Sequence, residues 1–109
     1  VNKLDEDKLT AAWAKYNAAF DEFKVAAAEC DVARAEYTFA LAEFNATVNE
    51  FKATRAEVDA AYAKCYFAEA KYDAAADKYD AAEAKNDAAA CELKAIRVEL
   101  EVAWAERND

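Results

Sequence analysis

The side chains of this chain that could do chemistry are its carboxylates, its tyrosines and three cysteines, Cys30, Cys65 and Cys91; histidine and serine are absent. Without histidine or serine, neither a base-activated nucleophile of the usual kind nor an imidazole metal ligand can be built. No Cys-x-x-Cys pair occurs, which argues against zinc, and the lack of glycine removes any phosphate-cradling loop. Asp73, Asp80 and Asp87 recur at seven-residue spacing beside Asp77. Such an acidic face attracts calcium weakly but lacks the loop spacing of true calcium sites. The cysteines read as small apolar fillers or as crosslinks between chains. On one straight helix Cys30 and Cys65 would stand about 52 Å apart, outside disulfide reach. Tyr66 sits among polar positions and is open to a contact or an oxidative crosslink. No enzyme, cofactor or metal is expected, so the chemistry left is that of contact.

The element that must position these residues is a seven-residue repeat that runs from Leu9 to Leu100 without a slip. Column a reads Leu9, Tyr16, Phe23, Cys30, Tyr37, Phe44, Phe51, Val58, Cys65, Tyr72, Tyr79, Asn86, Leu93 and Leu100. Column d, three residues later, is almost entirely alanine, from Ala12 to Ala103, with Thr47, Thr54 and Ile96 as exceptions. Alternating steps of three and four mark a helical seam, and strict period seven marks a coiled coil. The expected first seam is Tyr16, Phe23, Tyr37, Phe44, Phe51, Tyr72, Tyr79, Leu93 and Leu100. Column c is apolar too, with Val25, Val32, Phe39, Phe67 and Val102 among alanines, and column f is largely alanine. A two-stranded coil keeps c and f polar, so these residues predict a second seam against further helices.

Column g, the residue before each a, is charged throughout: Lys8 and Lys15, then Glu22 to Glu57, then Lys64, Lys71, Lys78 and Lys85, then Glu92, Glu99 and Glu106. Antiparallel packing sets a against d, large against small, which packs densely. It also brings g opposite g. A register centred near residue 57 pairs Lys8 with Glu106, Lys15 with Glu99, Glu29 with Lys85, Glu36 with Lys78, Glu43 with Lys71 and Glu50 with Lys64. Only Glu22–Glu92 and Glu57 with its own copy oppose. Such pairs choose direction and register more than they stabilise.

The fold expected is all-α: one long, nearly continuous heptad-repeat helix packing antiparallel in a coiled coil or multi-helix assembly. The alternatives are an intramolecular helical hairpin turning near residues 54–61, or a three-helix bundle whose length resembles a spectrin-type repeat. Residues 1–7 form a polar lead-in, 8–107 the repeats and 108–109 a frayed end of one domain. The weakest helical stretch is Asn45 to Thr54. There Thr47-Val-Asn-Glu50 and Thr54-Arg-Ala-Glu57 both match a capping box. Asn86-Asp87 is a second soft spot. Asn45-Ala-Thr47 also matches a glycosylation acceptor, which a packed helix would make awkward.

Of the 57% hydrophobic residues, 32 of the 109 positions are alanine, while glycine and proline, the residues that stop helices, are missing. The net charge of −9 disfavours nucleic acid and anionic membranes, and no apolar run approaches a membrane span. The chain begins with Val, which fits a removed leader or a trimmed chain; an extracellular or cell-surface location is slightly favoured. In pattern, residues Leu9 to Ala105 resemble alanine-rich fibrous coiled coils: the alanine-zipper stalks of bacterial envelope lipoproteins and the coiled-coil silks of bees and ants. The chain departs from the former in lacking a lipidated N-terminal Cys, and from the latter in lacking Ser-rich ends. The resemblance implies a structural protein that assembles with itself or a closely related helical chain into a filament, layer or sheath. The alternatives are a binding module using Trp13, Phe20 and Trp104 on a protein or small apolar ligand, and an ice-binding helix. Ice binding would want regular Thr spacing, which Thr10, Thr38, Thr47 and Thr54 do not provide.

Overall fold

The computed structural model describes residues 3–107, all but a short connection of them helical; the frayed end expected at 108–109 and the first two residues of the lead-in lie outside them. Helix α1 spans Lys3–Asn49 and helix α2 spans Arg55–Arg107. Most of the polar lead-in is therefore helical. Asp5 and Glu6 fall in the first turn of α1, where carboxylates meet the positive end of the helix dipole. Arg107 closes α2 at the negative end and also reaches Asp5 at 3.5 Å.

The fold is all-α, but the uninterrupted helix expected over the whole repeat does not form. The chain takes the hairpin alternative, and its connection, residues 50–54, begins four residues before the stretch expected to turn and overlaps it only at Thr54. The low-propensity run from Asn45 onward ends α1 at Asn49. No described residue has a positive φ, so the reversal needs no glycine. Instead Glu50 N donates to the Thr47 carbonyl at 3.2 Å and Ala53 N to the Glu50 carbonyl at 3.3 Å. These tight three-residue steps satisfy carbonyls at the helix end.

Of the two capping boxes, one acts as a cap. The Thr54 hydroxyl accepts from Glu57 N at 3.1 Å while its carbonyl accepts from Val58 N, the first bond of α2. Thr47 is inside α1, and its hydroxyl donates back to the Glu43 carbonyl at 2.8 Å. The connection consumes one layer of the repeat. Phe51 and Thr54 leave the seam, and the pattern resumes in phase at half-buried Val58. An in-phase repeat is thus compatible with a break when the break removes one whole layer.

The residues cluster into two compact units. One joins α1 up to Val25 with α2 from Asp80 onward; the other is Ala26–Tyr79 and contains the connection. The first is an antiparallel helix pair whose core is Ala12, Leu93 and Ile96, with Leu9, Tyr16 and Leu100 packed against it. The second buries Ala33, Ala40 and Cys65, with Tyr37 stacked on Tyr72 at 6.0 Å and Phe44 edge-on to Tyr62 at 5.7 Å. Six of the nine buried core residues are alanine. Helix α2 runs unbroken through Asn86, which excludes the three-helix alternative. The Asn86 side-chain oxygen is buried and accepts no hydrogen bond among the described residues.

Thr54→Ala removes the cap of α2 and is expected to lower unfolding free energy by about 1 kcal/mol, read as a reduced denaturant midpoint. Asn86→Leu replaces an unsatisfied polar atom in an apolar column and is expected to raise it by about 1–3 kcal/mol. A midpoint unchanged in both variants would contradict these assignments.

Candidate functional site

At about 100° per residue, columns g and c lie on one flank of the a/d seam and columns e and b on the other. The g flank carries a ladder of ion pairs between the helices. In the first unit Lys8 meets Glu99 at 3.0 Å, Lys15 meets Glu92 at 2.7 Å and Lys85 meets Glu22 at 2.8 Å. In the second, Lys78 meets Glu29, Lys71 meets Glu36 and Lys64 meets Glu43, each at 3.0 Å.

The partners differ by one heptad from those expected from the sequence. Lys85 pairs with Glu22 rather than Glu29, Lys78 with Glu29 rather than Glu36, Lys71 with Glu36 rather than Glu43, and Lys64 with Glu43 rather than Glu50. Lys8 and Lys15 move likewise to Glu99 and Glu92. The cause is the position of the connection, which places the centre of pairing half a heptad earlier. The shift relieves the expected Glu22–Glu92 clash, since both carboxylates now meet lysines. Glu50 lies in the connection and does not act as a register charge.

Of the first-seam residues, Tyr16, Phe23, Tyr37, Phe44, Tyr72, Tyr79 and Leu100 are half-buried and Leu93 is buried. Phe51 is not in the seam: it sits in the connection, 99% exposed. The Tyr37 phenol is held above its ordinary value of 10.0, first by the Glu69 carboxylate, then by burial, and by Cys65 and Asp73. The second-seam residues Val25, Val32, Phe39, Phe67 and Val102 are all exposed, by 52–73%. Between them and the ladder lies an open groove of about 520 Å³ lined by Ala28, Val32, Ala33, Ala74 and Ala75 with paired Glu29, Glu36, Lys71 and Lys78. Cys30 is half-buried, Cys65 buried and Cys91 exposed, and none is in a disulfide. Only Cys91 is well placed for a crosslink.

The e flank carries the exposed aromatics. Trp13 is edge-on to Tyr16 at 6.1 Å, Tyr16 stacks on Phe20 at 6.2 Å, and Lys24 Nζ lies 4.9 Å from the Phe20 ring centre. Exposed Leu41, Val48, Tyr62 and Trp104 share this column. Trp13, Phe20 and Trp104 stand out in the sequence singly; the column that unites them with the others is the residue following each d. Exposed Tyr66 stacks on Tyr62 at 6.4 Å. Two grooves open here, one of about 500 Å³ along Trp13, Tyr16, Leu93 and Val98, the other of about 390 Å³ along Leu9, Leu100 and Trp104. Among the described residues no helix is long and apolar enough to cross a membrane. No protein family, curated protein or solved structure matches this chain.

Reversing Lys64, Lys71, Lys78 and Lys85 to Glu is expected to destabilise the hairpin by about 2–4 kcal/mol in low salt, since exposed pairs contribute under about 1 kcal/mol each. Adding Glu22, Glu29, Glu36 and Glu43 to Lys should recover most of it. Recovery instead with Glu29, Glu36, Glu43 and Glu50 to Lys would restore the register expected from the sequence.

Proposed function

We propose that this chain is a structural element whose helical hairpins assemble laterally with copies of themselves into a filament, layer or sheath. The observation that carries the reading is the uncovered column c: Val25, Val32 and Phe39 on α1, Phe67 and Val102 on α2. Contiguous apolar surface of this kind marks an interaction site.

A second copy fits this surface better than an unrelated partner. On α1 the stripe offers bulky Val25, Val32 and Phe39, while on α2 much of it is alanine, at Ala74, Ala81, Ala88 and Ala95. The bulky run of one copy can lie on the alanine run of another, and the reciprocal contact forms at the same time, as two-fold interfaces require. The paired g charges beside the stripe are already neutralised, which lowers repulsion between chains of net charge −9. In this reading the chain performs no reaction. The grooves of the e flank favour a second reading, a binding module for a small apolar ligand, because their volumes fall in the range of small-molecule sites.

Scattering mass over a concentration series tests the proposal. The wild-type chain is expected to exceed its 12.0 kDa monomer mass and to grow with concentration. The Phe39→Lys, Phe67→Lys double variant should stay smaller while keeping its helical circular dichroism. A wild-type chain that remains monomeric throughout would overturn lateral assembly and favour the binding module.

A further inference from the structure

Among the described residues Phe51 is the most exposed large apolar side chain, at 99%, and it stands in the connection between Glu50 and Lys52, with Arg55 four residues on. An aromatic side chain in a turn, where it supports no seam and caps no helix, is unexplained by the hairpin. The other unit carries a groove of matching character. Leu9, Leu100 and Trp104 form its apolar walls, and Glu6, Glu101 and Arg97 its charged rim. It adjoins the Trp13 groove, with which it shares Arg97 and Glu101.

We propose that Phe51 of one copy docks in the Leu9–Leu100–Trp104 groove of a second copy, so that hairpins join turn to termini. The occupant is a second copy for three reasons. A phenyl ring against Trp104 and two leucines is an aromatic-plus-aliphatic contact that a groove of about 390 Å³ accommodates. The flanking charges are mixed on both sides and can be matched: Glu50 precedes the ring and Lys52 follows it, Arg55 lies 3.9 Å from Asp59, and the groove rim holds two carboxylates and one guanidinium. In sequence the 47-residue helix α1 separates Leu9 from Phe51, so a second copy can supply the ring while that helix stays whole. Knob and groove are different surfaces, which makes the contact heterologous, and heterologous contacts that do not close generate open filaments. This docking uses neither column c nor the ion-pair ladder, so it stands apart from lateral assembly.

The test places a photo-crosslinking phenylalanine analogue at position 51 of the full chain and mixes isotopically heavy and light protein before illumination. Heavy–light crosslinks should map to residues 6–9 and 97–104. Leu100→Lys should reduce their yield about tenfold, the change expected for roughly 1.4 kcal/mol of binding, and Lys52→Glu with Arg55→Glu should reduce it further at low salt. Repeating the experiment in the Phe39→Lys, Phe67→Lys background separates the two proposals: the crosslinks should persist there even though lateral growth is gone. Crosslinks confined to single chains, mapping to column c, or absent at concentrations where the wild type assembles would overturn the docking.

Discussion

Everything in this fold depends on the close approach of two helices across alanine. The α1 seam positions Ala12, Ala19, Ala26, Ala33 and Ala40 are each at most 5% exposed. A methyl group lets the facing backbone come near, and the larger column-a side chains then fill space beside it rather than directly between the axes. This is why Tyr16, Tyr37, Tyr72 and Phe44 are half-buried and not enclosed. The arrangement suits antiparallel packing, where alanine and aromatic alternate across the seam. It also limits what one hairpin can bury, because alanine contributes little apolar area.

The ladder of charges does a different task. Its members are exposed on the flank, so each contributes little to stability, but together they favour one register and one direction. Sliding α2 by a heptad would keep most lysines opposite glutamates but bring Glu22 opposite Glu92, so the observed register is the one that avoids this clash. The seam alone cannot make this choice, since a run of nearly identical alanine layers is tolerant of slippage. Hydrophobic periodicity sets the face, and column g sets the position along it. Half-buried Asn86, whose side-chain oxygen is enclosed in a column otherwise apolar, adds a further polar mark of the kind that fixes register in coiled coils.

Helical class, seam, antiparallel sense and the lysine and glutamate columns were all legible in the sequence, because each follows from period and sign. The connection was harder to read. Helix breaks are usually found through glycine, proline or a change of phase, and this chain has none of these. The available signal was weaker and physical: low helix propensity from Asn45, and a Thr54–Glu57 capping box that restarts a helix. The sign pattern of column g held the same answer. A pivot between Glu50 and Glu57 leaves no opposed pair except those two, which flank the turn, whereas the pivot at Glu57 leaves Glu22 against Glu92. Phe51 obeys the repeat and so reads as a seam residue, but the repeat does not record which layer the turn removes. The exposed aromatics of column e were only partly legible, because the residue after d is normally charged and this column is interrupted by Arg34, Arg55, Glu69, Glu83 and Arg97.

A two-helix hairpin of this composition is an incomplete burial problem. Each helix has one stripe covered, and the remaining apolar residues divide between two flanks with different neighbours. Column c lies beside neutralised charge pairs and repeats along both helices, so a contact made there can be reciprocal. Phe51 and the groove at Leu9, Leu100 and Trp104 are unlike surfaces, so a contact between them is directional. Reciprocal contacts close into discrete pairs unless a second surface propagates them, and directional contacts extend in one dimension. A chain that made both proposed contacts would have what growth in two directions requires, and its hairpin would already have set the register of each stripe it presents.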